Sequence, residues 1–359
     1  MIPIANPEIG AREKERVEDV LDSGMLADGP VVREFENEFA DYCGTEHAVA
    51  TSNGTTALHA AFEALGIGAG DRVVTTPFSF IASANAIRLA GGEPVFADID
   101  PETYTLDPAA VEATIQEYDG NIEAILAVHL YGLPADMERL GEIAAEYDVA
   151  LVEDAAQAHG ATFDGERVGS IGDVGCFSFY PTKNMTTGEG GMIVTDDEDI
   201  AERAARFINH GRTEQYGHAE VGHNFRMTSI AGGLGLAQLE KLPDFIAARR
   251  ENARRLTDGL ADSSVGTPAV PSGRTHVYHQ YTIRCADREG LQAHLDDHDI
   301  GYGVYYPQCI HEQPAYDGVS VSAPRAERAA DEVLSLPVHP NVDEADIQRI
   351  IEVITNNVE

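Results

Sequence analysis

Short apolar segments alternate with helix-period stretches over the first two thirds of the chain. This alternation predicts a parallel β-sheet covered by helices. The predicted strands, which are rich in Val, Ile and Ala, span 48–51, 72–75, 94–97, 122–128, 150–153, 175–179 and 192–195. The predicted helices between them span 57–65, 79–89, 108–117, 136–147 and 198–210. Gly and Asp residues occupy the joins between these elements, as is usual for turns.

The last third of the chain has a different pattern. Its predicted elements are an arginine-rich helix over 244–260, a strand over 276–284, and helices over 289–298 and 343–354. A chain of 359 residues is long enough to form two packed cores. We therefore predict a large domain over residues 1–243 and a smaller C-terminal α/β domain over residues 244–359.

The charge of the chain is strongly negative, with 61 acidic against 24 basic residues and a net charge of −37. Such a field repels phosphate backbones, which argues against nucleic acid or an anionic membrane as a partner. The acidic residues are spread along the whole chain, and salt would screen their mutual repulsion. We interpret this as a halophilic protein, with an ordinary acidic cytosolic protein as the alternative.

The four cysteines are scattered and show no metal-ligand spacing, so neither a disulfide framework nor a metal site is predicted. The N-terminus lacks a basic segment followed by an apolar one, which is the pattern of a signal peptide. No apolar run is long enough to span a bilayer. The sequence therefore predicts a soluble, cytoplasmic protein.

Lys183 is one of only three lysines in the chain. It follows the predicted strand 175–179 and precedes a turn that contains Gly188, Gly190 and Gly191. A lysine retained at such a place indicates an amine needed for chemistry, and its best-known use is a Schiff base with pyridoxal phosphate (PLP). The alternative is a solvated loop lysine.

Asp154 follows the predicted strand 150–153, at the edge where open α/β sheets bind ligands. A carboxylate there can pair with the pyridine nitrogen of PLP, and Gln157 can hydrogen-bond the phenolic oxygen of the ring. Glu153 is expected to point to the opposite face, because side chains alternate along a strand. The alternative for Asp154 is a helix cap.

The segment 52–59 follows a predicted strand and opens a helix, which is a favourable place for a phosphate group. Gly54 allows close approach of the backbone, Thr55 adds a hydroxyl, and Ser178 on another strand can donate to the same phosphate. Phe80, at the start of a predicted helix, can stack on the cofactor ring. The alternatives are a plain helix cap for the first segment and a core position for Phe80.

Together these residues resemble the DegT-type family of PLP-dependent nucleotide-sugar aminotransferases. The resemblance extends over nearly the whole chain and is carried by the segments 52–55, 129–137, 154–157, 177–191, 209–212 and 222–227. It implies an α/β fold of the aspartate-aminotransferase type, with a mostly parallel central sheet in the large domain. It also implies a homodimer with two shared active sites.

By position, the resemblance implies that Lys183 binds PLP covalently and that Asp154 holds the pyridinium nitrogen. It assigns Gln157 to the phenolic oxygen and Phe80 to one face of the ring. The residues that it assigns to the phosphate are Gly54, Thr55 and Ser178.

Two further assignments also come from the resemblance. Asn224 of the partner subunit is expected to reach the phosphate, and His311 is expected to lie near the sugar. The amino donor is expected to be L-glutamate, which converts the cofactor to pyridoxamine phosphate before a nucleotide-linked ketosugar accepts the amine. One lysine then serves as covalent anchor, base and acid in a ping-pong cycle.

Three other functions compete with this interpretation. A sugar dehydratase of the same fold would carry histidine in place of the anchoring lysine, and Lys183 argues against it. A different PLP reaction, such as decarboxylation or sulfur transfer, is the second, and a non-catalytic regulatory protein is the third. The sequence leaves open the nucleotide, UDP or dTDP, the position of the ketone, and the stereochemistry of the amine.

Overall fold

The computed structural model describes residues 1–319 and 321–356. Its α-helices are α1 (Ala11–Ser23), α2 (Pro30–Cys43), α3 (Gly54–Leu65), α4 (Ala82–Leu89), α5 (Pro108–Glu117), α6 (Met137–Tyr147), α7 (Glu198–Phe207), α8 (Ser229–Leu260), α9 (Arg288–Asp297), α10 (Pro324–Glu332) and α11 (Glu344–Asn356). Its strands are β1 (His47–Thr51), β2 (Arg72–Thr75), β3 (Glu93–Phe96), β4 (Ala124–Val128), β5 (Ala150–Asp154), β6 (Thr162–Phe163), β7 (Glu166–Arg167), β8 (Val174–Ser178), β9 (Gly191–Thr195), β10 (Arg274–Thr275), β11 (Tyr281–Arg284) and β12 (Val333–Leu336).

A seven-stranded sheet in the order β1-β9-β8-β5-β4-β2-β3 forms the centre of the molecule. The pairs β3–β2, β2–β4, β4–β5 and β5–β8 are parallel, whereas β9 runs antiparallel to both β8 and β1. The sheet is therefore mostly parallel, as the sequence predicted. Because β9 alone is reversed, the carboxyl ends of the other six strands lie at one edge.

Helices cover both faces of this sheet, which explains why its strands are apolar along their whole length. On one face α3, α4 and α7 pack on side chains such as Leu126, Val152 and Ile193. On the other face α5 and α6 pack near β2, β3 and β4, while α2 and α8 pack near β8, β9 and β1. Since side chains on both faces of the strands are buried, the sheet lies in the interior of the molecule.

A second, smaller core lies in the C-terminal part of the chain. It joins the antiparallel pair β11–β12 to α9, α11 and the last turns of α8, through residues such as Leu256, Tyr281 and Ile350. Ile2 is also part of this core. The predicted boundary at residue 243 falls inside α8, which runs through Pro243 as one helix of 32 residues. The division into two domains stays a prediction.

Several predicted elements have different bounds in the structure. The predicted helix 79–89 begins only at Ala82, and the predicted strand 276–284 is a strand only over Tyr281–Arg284. The predicted helix 244–260 is the second half of α8, which already begins at Ser229. The helices α1 and α2 were not predicted.

The glycine-rich stretch near residue 233 lies inside α8 and is helical. A Cβ atom on Gly235 would lie 2.6 Å from the Phe35 ring, and one on Gly232 would lie 3.3 Å from the Cα of Val32. These glycines therefore permit α8 to approach α2 closely, and packing of this kind outweighs their low helix propensity.

Candidate active site

Four segments that follow strands of the large sheet meet at its carboxyl edge. Asp154 is the last residue of β5 and Ser178 the last residue of β8, while Gly54 follows β1 after a short turn. Phe80 follows β2 in the turn before α4. The structure thus brings together at one edge most of the residues that the sequence singled out, where open α/β sheets bind ligands.

The turn between β1 and α3 leaves two backbone N–H groups free. Asn53 caps the helix, because its Oδ1 accepts from the N–H of Thr56 at 2.9 Å, and the Thr56 hydroxyl donates back to the Asn53 carbonyl at 2.8 Å. Within the described part of the chain, the N–H groups of Gly54 and Thr55 have no acceptor. A helix N-terminus with unpaired donors favours an anion.

Gly54 and Ser178 lie in direct contact across this turn. A Cβ atom on Gly54 would be only 2.7 Å from the Cβ of Ser178, so a side chain at position 54 would displace the end of β8. The close approach places the half-buried Ser178 hydroxyl next to the first turn of α3. The three residues that the sequence assigned to a phosphate, including Thr55, therefore form one small surface.

The Asp154 carboxylate is buried and oriented by two donors. The Ser83 hydroxyl donates to its Oδ2 at 2.8 Å, and the Ala156 N–H donates to its Oδ1 at 3.2 Å. The Ser79 hydroxyl in turn donates to that of Ser83 at 3.2 Å. This chain of hydroxyls from the start of α4 holds the carboxylate in one position.

Glu153 points to the opposite side of β5, as strand alternation predicted. Its Oε2 accepts from the Gly169 N–H at 2.7 Å and pairs with Nε2 of His129 at 2.9 Å. Its Oε1 accepts from the N–H groups of Ile171 at 2.8 Å and Gly172 at 2.7 Å. A buried carboxylate with four donors is fully satisfied, so Glu153 ties β4 and β5 to the chain before β8.

Lys183 lies on a loop whose next residues are anchored to distant parts of the chain. The Asn184 side chain donates to the Val277 carbonyl at 3.1 Å, and the Thr186 N–H donates to Oε1 of Gln238 at 3.3 Å. Burial lowers the pKa of Lys183 to about 8, against the opposing influence of the Asp154 carboxylate. In the part of the chain that the structure describes, the amine has no hydrogen-bond acceptor.

Gln157 is the centre of a hydrogen-bond network. Its Oε1 accepts from the Tyr131 N–H at 2.8 Å and lies 3.2 Å from Nδ1 of His279, while its Nε2 donates to the Tyr306 hydroxyl at 3.2 Å. A backbone N–H can only donate, so the orientation of the amide is determined. Burial keeps the pKa of His279 well below its usual value, and the neutral ring donates from Nδ1 to Gln157.

Phe80 projects from the turn before α4, and 57% of its surface is exposed. Its ring lies 6.2 Å from that of Tyr306, at an angle of 37° between the planes. Phe78, the other aromatic residue of this segment, is fully buried and packs against Tyr306 from another side. Of these two residues, Phe80 is the one that is free to cover a ligand.

Asn224 is exposed at the surface, where its Oδ1 accepts from Nε of Arg226 at 3.1 Å. The main chain of the same segment runs beside β1, since the Ser52 N–H donates to the Phe225 carbonyl at 2.7 Å. Asn224 is therefore presented outward from a segment that adjoins the Gly54 turn, and its contact with a partner's phosphate stays a prediction.

His311 lies apart from the other predicted site residues. Its Nε2 is 3.3 Å from Oε1 of Glu327, and its ring packs near Phe96. Among the described residues, no hydrogen bond or ion pair joins His311 to Lys183. The segment itself reaches the site through Tyr306. The role of His311 near a sugar stays a prediction.

Sequence reasoning missed four residues that orient this site: Ser83, Tyr131, His279 and Tyr306. Tyr131 belongs to the segment 129–137, to which the family resemblance drew attention without a role for the residue. Its φ of 58° is rare for a residue with a side chain and marks a constrained position. Tyr306 belongs to the segment 305–311 around His311, which the resemblance places near the sugar without a role for Tyr306. Ser83 and His279 carried no local signal, because their partners are distant in sequence.

The residues present fit PLP. Lys183 is half-buried, and its amine has a lowered pKa, which favours the neutral form that attacks an aldehyde. The Asp154 carboxylate lies at the same edge, where it raises the pKa of that amine. The free N–H groups of Gly54 and Thr55 complete a place for a phosphate.

Two other features are absent from the described residues. In residues 1–319 and 321–356, no cluster of three or more His, Cys, Asp or Glu side chains could hold a metal ion. Over the same residues, no helix is both long and apolar enough to cross a membrane.

Comparison with known proteins gives matches along nearly the whole chain. The model of the DegT/DnrJ/EryC1/StrS aminotransferase family matches residues 7–355. A pleiotropic regulatory protein of Geobacillus stearothermophilus is 40% identical over 345 residues, which cover 94% of this chain and 92% of that protein. The UDP-2-acetamido-2-deoxy-3-oxo-D-glucuronate aminotransferase of Pseudomonas aeruginosa is 37% identical over 351 residues, which cover 96% of this chain and 97% of that protein.

The fold also matches solved structures. The crystal structure of DesV from S. venezuelae, in complex with a ketimine intermediate, superposes with a TM-score of 0.94. It is 38% identical in sequence, and the match covers 97% of this chain and 95% of that one. The predicted α/β fold class is thereby confirmed.

Proposed function

Since the chain belongs to the DegT/DnrJ/EryC1/StrS family of PLP-dependent sugar aminotransferases, we propose that it transfers an amino group from L-glutamate to a nucleotide-linked ketosugar. The product is an aminosugar, and the two substrates react in turn by a ping-pong mechanism. The observation that carries this proposal is the position of Lys183 and Asp154 at one edge of the sheet, beside the anion-binding turn at Gly54.

When bound, PLP supplies an aldehyde that exchanges with amines and an electron-poor ring that accepts an electron pair from the substrate carbon. Lys183 would hold it covalently and Asp154 would hold its pyridinium nitrogen. The groups that would bind its phosphate are the N–H groups of Gly54 and Thr55 and the Ser178 hydroxyl. Gln157 would contact its phenolic oxygen, and Phe80 would cover one face of its ring.

The chemistry of this chain's own residues centres on the Lys183 amine. With a pKa of about 8, roughly a tenth of the amine is neutral at pH 7, and in this form Nζ can accept a proton and later return it. Asp154 is held in position by the hydrogen bond from Ser83. The loop anchors at Asn184 and Thr186 hold the lysine in place between the two half-reactions.

We further propose a homodimer in which Asn224 of the partner subunit completes the phosphate site. Asn224 is exposed on a segment that adjoins the Gly54 turn of its own chain. Large apolar side chains are also exposed on the protein, among them Phe80 in the turn before α4, Tyr180 after β8, and Val221 three residues before Asn224. Exposed apolar surface of this kind supports an interface.

A cytoplasmic location and a halophilic source are part of the same proposal. Four cysteines that are all unpaired support a reducing compartment. The net charge of −37, with only three lysines in the chain, supports adaptation to high salt.

A regulatory protein is the second candidate, because the relative from G. stearothermophilus is named as one. Loss of the lysine or of the aspartate would favour it, and this chain retains both. A dehydratase of the same fold is disfavoured by the lysine at position 183.

Absorbance spectra test the proposed function directly. The purified protein is expected to be yellow with PLP, to lose that colour with L-glutamate, and to regain it with one of a panel of UDP- and dTDP-linked ketosugars. Lys183→Ala is expected to abolish turnover, because no other amine lies in the site. Turnover that persists in this variant would refute the role of Lys183, and a wild-type protein that ignores PLP would support the regulatory alternative.

A further inference from the structure

Glu13 on α1 is a buried carboxylate that lies outside the candidate active site. Its Oε2 accepts from the Gly10 N–H at 2.8 Å. Its Oε1 accepts from Nε2 of Gln238 at 2.8 Å and pairs with Nζ of Lys241 at 2.8 Å. Burial alone would raise the pKa of Glu13, but these donors, with Lys241 foremost, lower it to about 2. Glu13 therefore keeps its charge over the physiological range.

Gln238 on α8 connects this carboxylate to the loop that carries Lys183. Its Nε2 donates to Oε1 of Glu13 at 2.8 Å and to the Glu8 carbonyl at 2.9 Å, so both amide protons are used. Its Oε1 accepts from the Thr186 N–H at 3.3 Å. A carboxylate and a carbonyl can only accept, so the reversed amide would place its oxygen against both of them. Glu13 thus helps to direct the Gln238 oxygen toward Thr186.

Thr186 fixes the lysine loop against the end of β8. Its hydroxyl donates to the Phe179 carbonyl at 2.8 Å and accepts from the Gly188 N–H at 2.9 Å. The residue is buried, and among the described residues its own N–H has no acceptor other than Gln238. A buried N–H without an acceptor is costly, so loss of this contact would favour a different position of the loop. Lys183 lies only three residues earlier and would move with it.

Lys241 is the cation of this network and one of only three lysines in the chain. Its Nζ lies 3.3 Å from Oε1 of Glu8 and 2.8 Å from Oε1 of Glu13. A Cβ atom on Gly10 would lie 3.3 Å from both this Nζ and Oε2 of Glu13, so little space remains around the pair. A compact ammonium suits such a space better than a planar guanidinium, which accounts for a lysine in a chain that mostly uses arginine.

A second ion pair joins the same two helices at the surface. Nη2 of Arg12 on α1 lies 3.2 Å from Oε1 of Glu240 on α8, and both side chains are exposed. Surface pairs of this kind contribute little to stability. The pair does not continue to another part of the chain through Glu240, whereas the Glu13 network continues through Gln238 to the lysine loop.

We propose that Glu13 is a positioning residue for Lys183, and that it acts through Gln238 and the Thr186 N–H to hold the lysine loop at the edge of the sheet. The inference rests on the proposed function, because it concerns the lysine that would hold PLP. A loop released from Gln238 would give Nζ of Lys183 more access to water. Desolvation would then weaken, and the pKa of Lys183 would rise from about 8 toward 10.5.

The experiment compares Glu13→Gln with the wild type. The variant keeps the size of the side chain but removes its charge, and its new NH₂ group must face a donor on one side. The apoprotein is labelled with acetic anhydride over a series of pH values, and peptide mass spectrometry gives the extent of labelling at Lys183. The exposed Lys14 serves as the internal reference. With only three lysines the peptides are easily separated, and the measurement requires no PLP.

We expect the pH midpoint of Lys183 labelling to rise by about one unit in Glu13→Gln, and the capture of PLP at pH 7 to slow about tenfold. Gln238→Met is expected to shift the midpoint in the same direction, while Glu13 stays charged and paired with Lys241. Urea unfolding of the apoproteins establishes that each variant is folded. If Glu13→Gln is not, Gln238→Met decides.

Glu240→Gln is the matched control, because it removes the exposed ion pair between α1 and α8 and leaves the buried network intact. It is expected to match the wild type in labelling and in PLP capture. A midpoint that rises equally in this control would refute the proposal, since any loosening of α1 from α8 would then suffice.

The remaining outcomes separate the two levels of the argument. If the wild type captures PLP but neither Glu13→Gln nor Gln238→Met changes the labelling midpoint, only the positioning role is refuted. A loss of stability without a change in the midpoint would likewise assign Glu13 to the fold alone. If the wild type captures no PLP, the proposed function fails, and the inference fails with it even where the midpoint shifts.

Discussion

At the scale of single residues, the chemistry of the site depends on an amine that burial has made easier to deprotonate. Lys183 has a pKa of about 8, compared with 10.5 for a solvated lysine. Desolvation disfavours the ammonium form, and the Asp154 carboxylate only partly offsets this effect. The neutral amine is the form that captures an aldehyde.

The pH dependence of cofactor capture follows from this pKa. Below about pH 8 the lysine is mostly protonated, so the rate at which the apoprotein captures PLP is expected to rise about tenfold per pH unit and to level off above that pH. Stopped-flow absorbance measures the rate. A rate that still climbs tenfold per unit between pH 9 and pH 10 would show that Lys183 has an ordinary pKa.

Ser83 is a second residue with a measurable effect, since its hydroxyl donates to the buried Asp154. Ser83→Ala leaves one carboxylate oxygen without that donor and is expected to lower the free energy of unfolding by about 1–3 kcal/mol. It is also expected to weaken PLP retention several-fold. Urea denaturation of the apoprotein and titration with PLP measure the two effects.

Ser263→Ala provides the control for this prediction. Its hydroxyl donates to the Leu260 carbonyl at 2.6 Å beyond the end of α8, on a different part of the chain. It is expected to leave PLP retention unchanged. Equal PLP affinity in Ser83→Ala and the wild type would show that the hydroxyl does not orient Asp154 for the cofactor.

The limits of sequence reasoning at this scale are specific. Asp154 and Lys183 could be placed at the sheet edge, because each follows an apolar strand and residues at strand ends meet in a parallel sheet. The contacts of Ser83 and Tyr306 could not be predicted, because they join positions 71 and 149 residues apart. Such contacts depend on how α4 and the segment around residue 306 pack, which no local pattern encodes. The assigned roles themselves stay predictions.

At the scale of elements, strands were easier to predict than the ends of helices. Runs of Val and Ile identified every strand of the large sheet, since burial on both faces leaves a continuous apolar segment. The helices α1 and α2 were missed because each exposes much of its surface and shows only a narrow apolar stripe. The predicted helix 244–260 is only the second half of α8, because the glycine-rich first half has a low intrinsic helix propensity.

A pair of glycine substitutions tests this account of α8. Gly235→Ala is expected to destabilise the protein by about 1–3 kcal/mol, because the new methyl group would lie 2.6 Å from the Phe35 ring. Gly141→Ala in α6 is the matched control, since nothing lies within 4 Å of its new Cβ. The control is expected to stabilise the protein by up to about 1 kcal/mol through helix propensity.

Urea unfolding of both variants gives the comparison. A gain in stability for Gly235→Ala as well would show that α8 and α2 do not require the close approach, and that propensity alone decides at this position.

At the scale of the whole molecule, the dominant feature is the excess of carboxylates. With a net charge of −37, the carboxylates of the folded chain repel one another. The Debye length, beyond which salt screens this repulsion, is about 10 Å at 0.1 M salt and about 3 Å at 1 M. The fold was predictable at this scale because its alternation of strands and helices is regular. The boundary between domains was harder to predict from the sequence, because a helix such as α8 can continue across a change of composition.

Salt dependence of stability is the corresponding prediction. The midpoint of thermal unfolding is expected to rise between 0.1 M and 1 M KCl, because screening relieves repulsion more in the compact state than in the unfolded one. Differential scanning calorimetry measures the midpoint at a series of KCl concentrations. A midpoint that is unchanged or that falls as KCl is raised would contradict an electrostatic cause.

Because α8 continues through the predicted domain boundary, the protein should not tolerate expression as two separate fragments. A division of the chain after residue 243 would cut the 32-residue helix α8 in two. Each fragment would then expose apolar side chains of α8 that are buried in the intact protein. Ile2 belongs to the same core as Ile350, although the two residues lie far apart along the chain. We therefore expect the two fragments to be insoluble when they are expressed separately and to gain structure only when they are mixed, because neither can fold independently.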